Sequence, residues 1–207
     1  MTNDTGKRRN ILKISVIKDK DVITSEWAGG ESRQYYIYPP GSDYGLRNFM
    51  FRVSMAASYS DDKAKYSNLE NFTRYLIMLE GTVHVFHKDH YDVVMNPYNE
   101  IDVFDGGWES YATGKVIDFN LMTSKNCKGS MSVVNKSCVI EIESGKNINH
   151  NWLMFFCGNG SASFDLSSGE NINLLKNDLV VFENIESTLK INMHSGNAKL
   201  IKMFIHC

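Results

Sequence analysis

Residues 75–81 read YLIMLEG and residues 152–158 read WLMFFCG, in each case an apolar run that ends in glycine. Residues 99–106 read NEIDVFDG and residues 177–184 read NDLVVFEN. Tyr75 to Trp152 is 77 positions and Asn99 to Asn177 is 78, so the two halves run nearly in register over roughly thirty residues. Each copy has the order strand, glycine turn, strand, hairpin, strand, then Asn-acid, apolar run, Phe, acid. Two copies of one small antiparallel unit are the architecture this pattern favours, and closing each copy into a barrel would remove its sheet edges.

The rest of the chain agrees. Short segments rich in Val, Ile, Phe and Tyr recur throughout: ILKISVI (11–17), SRQYYIYP (32–39), FMFRVSMAAS (49–58), RYLIMLEG (74–81), TVHVFH (82–87), YDVVM (91–95), EIDVFDG (100–106) and VIDFNLMT (116–123). The second half adds SMSVV (130–134), CVIEIE (138–143), WLMFFCG (152–158), SASFDLS (161–167), NINLL (171–175), DLVVFEN (178–184), STLKINMH (187–194) and KLIKMFIH (199–206). Gly, Asn, Asp and Ser bound them. No window carries a long, capped 3.6-residue periodicity, so little helix is expected. The expected fold is all-β: two fused antiparallel barrels, residues 11–124, which carry the ligand pocket, and residues 125–207, whose role is left open. A single lipocalin-like barrel is the alternative.

Composition removes several functions. The formal net charge is −2, so no basic field attracts nucleic acid. The start, MTNDTGKRRN, has no apolar stretch of the kind a signal peptide needs, and no apolar run approaches the ~18 residues of a spanning helix. No membrane partner is expected. The four cysteines, Cys127, Cys138, Cys157 and Cys207, form no CxxC pair and read as reduced thiols of a cytoplasmic protein. A homodimer is left open.

HVFHKDH (84–90) places three of the six histidines three apart, which invites a metal. On a strand, residues i and i+2 share a face and residues i and i+3 do not. His84 and His87 therefore face opposite ways, and His90 falls at the hairpin turn. A metal-binding strand needs a histidine pair at i and i+2 with a third ligand from a facing strand. Neither a metal nor another cofactor is expected. His84 is the candidate for an inward histidine.

WAGGESRQYYIYP, FRVSMA, TRYLIMLEG, FDGG and DFNLM stand in this order over residues 27–122. In motif and spacing this resembles the HutD/Ves family, within the cupin superfamily. The resemblance implies two cupin-like barrels and a small-molecule-binding or regulatory protein, associated in many bacteria with histidine utilisation. Beyond about residue 125 no motif matches. The Gly-rich turn of that family is usually followed by Thr-x-Glu; here Ser32 and Gln34 stand at those places, so one negative charge is missing. The HxH of metal cupins is absent.

The residues themselves describe a polar pocket. By alternation, Arg52 and Ser54 share one face, with Phe51, Val53 and Met55 on the other. Asp118, Asn120 and Met122 share a face, as do Ser32, Gln34, Tyr36 and Tyr38. Arg74 opens the strand that carries Leu76 and Met78. If these faces line the first barrel, two arginines and an aspartate converge with neutral groups, Asp118 pairing one arginine and leaving the other for an anion. Trp27, Tyr36 or Trp108 would supply a flat wall. The expected ligand is a small carboxylate held by Arg52, Arg74, Ser54, Asp118, Asn120, Gln34, Ser32 and Trp27. Urocanate or a formylated glutamate is suggested only by the family. No catalytic residue is assigned, since GxSxG, HExxH, GxxxxGK[ST] and CxxC are all absent. A metal-independent isomerase or epimerase, with Asp118 or Glu80 as acid or base, and an interaction protein without a small ligand are the alternatives.

Overall fold

The computed structural model describes residues 11–141, 151–185 and 188–207. The end of CVIEIE, the start of STLKINMH and residues 1–10 lie outside the described residues. In chain order the first strands are β1 (Lys13–Ile17), β2 (Ile23–Trp27), β3 (Gly30–Tyr38), β4 (Phe51–Ser58), β5 (Ala64–Lys65) and β6 (Phe72–Glu80). Then come β7 (Val83–His87), β8 (Tyr91–Met95), β9 (Asp102–Asp105), β10 (Ser110–Thr113) and β11 (Val116–Ser124). The second half holds β12 (Lys128–Val134), β13 (Cys138–Ile140), β14 (Asn151–Asn159), β15 (Ser161–Leu166), β16 (Asn171–Leu175), β17 (Leu179–Glu183), β18 (Leu189–Met193) and β19 (Lys199–His206). One short 3-10 turn, Asp19–Asp21, is the helical element among the described residues. None of their helices is long and apolar enough to cross a membrane.

The repeat in the sequence is a repeat of topology. One half contains the sheet order β4-β11-β6-β9 and the other β12-β19-β14-β17; the smaller sheets run β5-β10-β7-β8 and β13-β18-β15-β16. Trp152 pairs with Glu183 and Thr73 with Asp105 in separate sheets, which removes the single-barrel alternative. The expected closed barrels do not form. Each half is a pair of open sheets, because the flanking strands are too short to join them: β5 spans two residues and β9 four. The first half's large sheet is extended by β2 and β3. β1 leaves its sequence neighbours and pairs antiparallel with β17, from Lys13↔Glu183 to Ile17↔Leu179.

The four sheets stack in layers. Phe51, Val53, Met55, Phe119 and Leu121 of the first large sheet pack on Trp152, Met154, Phe156 and Met203 of the second. The second half's interior is filled by Phe155, Phe164, Phe182, Leu174 and Leu200, all fully buried. The first half's interior has a smaller apolar cluster, with Leu76, Met78, Val83, Val85 and Phe104. Burying Phe51, Val53 and Met55 between the layers turns the alternate residues of β4 toward that interior, and these are Arg52 and Ser54.

The reading of all four cysteines as reduced thiols is corrected. Cys127 and Cys207 form a disulfide, and Cys138 and Cys157 are free. The cause is register: Lys128 pairs with His206, so the next residue outward on each strand faces its counterpart. A separation of 80 residues hides that proximity in the sequence.

Candidate functional site

The strand register arranges the first half's inner face in ranks. Arg74, Met122 and Arg52 pair across β6, β11 and β4. The next rank holds Leu76, Asn120, Ser54 and Gln34. The one after holds Met78, Asp118, Ala56, Ser32 and Ser25. These ranks floor a cavity of about 390 Å³, whose walls include Tyr44, Tyr66, Val116 and Trp27. Trp27 keeps 43% of its surface exposed and stands at the mouth.

Both arginines are almost wholly buried, Arg52 at 6% exposure and Arg74 at 5%. Arg52 donates from Nε to Gln34 Oε1 and from Nη1 to Ser54 Oγ, each at 2.8 Å. Its guanidinium lies 4.4 Å from the ring centre of Tyr44, which carries Arg47 at 4.0 Å as well. Burial lowers its pKa to about 10; Tyr44 opposes that shift, and Arg74 and Arg47 add to it. Arg74 lies 4.7 Å from the ring centre of Tyr66 and 5.2 Å from that of Phe104, and its Nε has no hydrogen-bond partner. Asn120 Oδ1 is likewise buried without a partner. Asp118 opens onto the cavity but is shielded from bulk water, and burial lifts its carboxyl to about 7 against the pull of Arg74.

Asp118 therefore does not hold an arginine in place. It makes no ion pair with either, because it sits two ranks from them along a register that is regular from Asp118 to Met122. Neutral oxygens and aromatic faces hold the guanidiniums instead. Two further expectations change. A bulge between Gln34 and Tyr36 shifts the register of β3 on β4, so Ser32 lines the cavity and Gln34 reaches Arg52 from the same face without lining it, while Tyr36 and Tyr38 turn to the other side and stack on Phe51. Glu80 is exposed and accepts from Lys176 Nζ at 3.0 Å, so it is not a buried acid. Tyr44 and Tyr66, which the sequence reading missed, lie in connections outside the alternating segments. Only their place between strands, beside a Pro-Pro-Gly turn and a run of charges, marked them.

The histidines separate as strand parity requires: His84 is exposed and bonds Asp92 at 2.7 Å, while His87 is 1% exposed. The inward histidine is thus His87 and not His84. Its ring bridges Ser110 Oγ at 2.7 Å and Asp102 Oδ2 at 2.8 Å, and Tyr91 donates to Asp102 Oδ1 at 2.6 Å. Ser110 is 1% exposed and does not line the cavity, so this Ser-His-Asp network is a hydrogen-bonded cluster of the core, apart from that cavity. His90 stacks on Trp108 at 3.6 Å, which takes Trp108 away from the cavity wall. Among the described residues no three His, Cys, Asp or Glu side chains group as metal ligands.

A search of curated proteins finds no match. Solved structures of similar fold include a conserved protein of unknown function from Pseudomonas aeruginosa PAO1, at 17% identity and a TM-score of 0.79, covering 94% of this chain and 100% of that one. HutD from Pseudomonas fluorescens SBW25, crystallised in a formate condition, is 17% identical with a TM-score of 0.71, over 92% and 98%. Oxalate decarboxylase from Bacillus subtilis, in its S161A form, is 7% identical with a TM-score of 0.62, over 92% and 76%. The last places the fold beside the cupins. The HutD family model matches residues 19–200, which takes in both topological halves, the arginine rank and Asp118, and the chain belongs to the HutD family.

Proposed function

We propose that the first half's cavity binds a small carboxylate and that the protein acts as a binding or regulatory protein without turnover. One observation carries this: two buried guanidiniums open onto one cavity, and no acid among the described residues is ion-paired with either. A buried cation without a counter-ion is costly, and Arg52 has only the neutral Gln34 and Ser54 as acceptors. A carboxylate matches the planar fork of donors in both charge and shape. Asn120 adds a neutral hydrogen-bonding group, and Tyr44, Tyr66 and Trp27 add flat apolar surface. Ser32 lies one rank further along. Gln34 stands where the family resemblance places an acid, so this chain leaves Arg52 free of an internal counter-charge.

We further propose that the two halves are a duplicated cupin pair, divided near residues 124–125, and that the family's association with histidine utilisation applies here. Urocanate and formylated glutamate are then the ligands to try first. A second reading, a metal-independent isomerase or epimerase, is favoured by Asp118 alone, whose carboxyl near 7 suits proton transfer at neutral pH.

Titration calorimetry with acetate, butyrate, urocanate and formylglutamate tests the binding reading, with circular dichroism as a folding control. Arg52→Met and Arg74→Met should each weaken binding by about ten-fold to hundred-fold, the value of one charge-assisted hydrogen bond. Equal binding by wild type and both variants would move the site elsewhere.

A further inference from the structure

The cavity has two poles. At one, Arg52 reaches along the sheet to Gln34 and Ser54 in the next rank, so its guanidinium lies over the middle of the floor. At the other, Asp118 opens onto the same space and makes no hydrogen bond or ion pair with a described residue. One rank separates Asp118 from Ser54 and Gln34, a step of two residues or about 7 Å along a strand. An anion seated on the arginines does not satisfy Asp118. It adds a second negative charge to a poorly solvated one.

We propose that the cavity selects short acids that carry a hydrogen-bond donor at the far end, an ω-amino or ω-hydroxy acid, and that Asp118 receives that donor. This rests on the carboxylate reading above and names the class of carboxylate. Three observations support it. Asp118 lies two ranks from Arg74 on the same floor and shares the cavity with Tyr66, yet neither donates to it, so its lone pairs are open to a ligand. Partial desolvation at the cavity wall lifts its carboxyl to about 7, a penalty that a donor, above all a cationic one, relieves. The repeat supplies the third. By the registers of β6 with β11 and of β14 with β19, Leu153 and Leu200 occupy the places of Arg74 and Asp118 in the second half. Ser130 stands at the place of Arg52, so neither the cation nor the acid is kept there, and the two occur together in the half that has the cavity.

The test is calorimetry on the full chain at pH 7.5. The probes are acetate, propionate, butyrate and valerate, each against its amino-terminated counterpart glycine, β-alanine, 4-aminobutyrate or 5-aminovalerate, with 4-hydroxybutyrate as a neutral donor. At least one donor-bearing acid should bind about ten-fold or more tighter than its parent. Asp118→Asn should reduce that ratio to about two-fold or less while leaving the parent's affinity equal or higher. Wild type gives an independent readout. Binding of the amino acid should release protons as Asp118 ionises, and binding of the parent acid should take them up, seen by comparing buffers of different ionisation heat. If the parents bind in an arginine-dependent way but the donors add nothing, or if the preference survives in Asp118→Asn, this inference falls and the carboxylate site stands. If no acid in either series binds wild type, both fall.

Discussion

Asp118 works against the fold at neutral pH. Its carboxyl is raised from 3.8 to about 7, first by burial, with Arg74 offsetting part of that. An acid whose pKa is higher folded than unfolded is destabilising wherever the unfolded form is ionised. The penalty is absent below about pH 3.8, grows as pH rises, and is complete above about 7. For this shift it is up to about 4 kcal/mol. The charged and titratable groups facing it are Arg74 and Tyr66, with Arg52, Lys65 and Glu26 on the same cavity. Asp118→Asn should therefore raise the urea midpoint at pH 8, with a gain that shrinks steadily toward pH 4. A loss at pH 8 would show that Arg74 outweighs burial, and a constant gain would show that ionisation of Asp118 is not what costs stability. Arg74 poses the complementary case. Its Nε is buried without a partner, and Arg74→Met keeps an unbranched apolar stem while removing the charge. That variant should match or exceed wild-type stability by about 1–3 kcal/mol while losing carboxylate affinity. A site that costs stability in the empty protein is expected where a ligand completes it.

Among the elements, the alternating strands were legible from sequence and the irregular ones were not. β4 and β11 follow period-2 alternation without interruption along the cavity, so Arg52, Ser54, Asp118 and Asn120 could be assigned a common face. β3 carries a bulge between Gln34 and Tyr36. One inserted residue reverses every side chain beyond it, which is why Tyr36 and Tyr38 were misplaced while Ser32 and Gln34 were not. β2 is exposed along its whole length and has no buried face to leave an apolar period. It is held to β3 by the ladder from Ile23↔Gln34 to Trp27↔Gly30, and Gly30, at the root of that hairpin, approaches the β4 backbone closely. A Cβ on Gly30 would lie 1.8 Å from the Ala57 carbonyl oxygen, and one on Gly29 would lie 2.2 Å from Trp27 Cζ3. Gly30→Ala should therefore pry β3 from β4 and cost about 2–4 kcal/mol in urea unfolding. Gly196→Ala, where nothing lies within 4 Å, should stay within about 0.5 kcal/mol of wild type. If the two variants unfold alike, the close approach at Gly30 is not what fixes this hairpin.

At the scale of the whole molecule, one topology is used twice with opposite interiors. The first half keeps polar ranks and a cavity; the second fills the same space with phenylalanine and leucine. The repeat in YLIMLEG and WLMFFCG exposed the shared frame but slipped it by two residues, because Gly158 lies inside β14 and the turn glycine that answers Gly81 is Gly160. The difference in interiors depends on which residues face each other across β12, β14 and β19, and no local pattern records that. The same holds for the Cys127–Cys207 disulfide, which joins the start of β12 to the end of the chain and so closes a loop around nearly the whole second half. Cross-linking residues 80 apart restricts the unfolded chain, an effect of about 2–4 kcal/mol in typical proteins. Only this bond should answer to a reductant, since Cys138 and Cys157 are free and burial pushes the Cys157 thiol up to about 12. Dithiothreitol should lower the urea stability of wild type by that amount. The Cys127→Ser/Cys207→Ser double variant should start at the lowered value and show no response. The arginine rank lies in the other half, so carboxylate affinity should be unchanged in either case. A wild-type midpoint that does not move with reductant would mean that these sulfurs are not bonded in solution. A shift in affinity alongside stability would mean that the two halves, packed through Phe51, Phe119 and Trp152, transmit strain to the cavity.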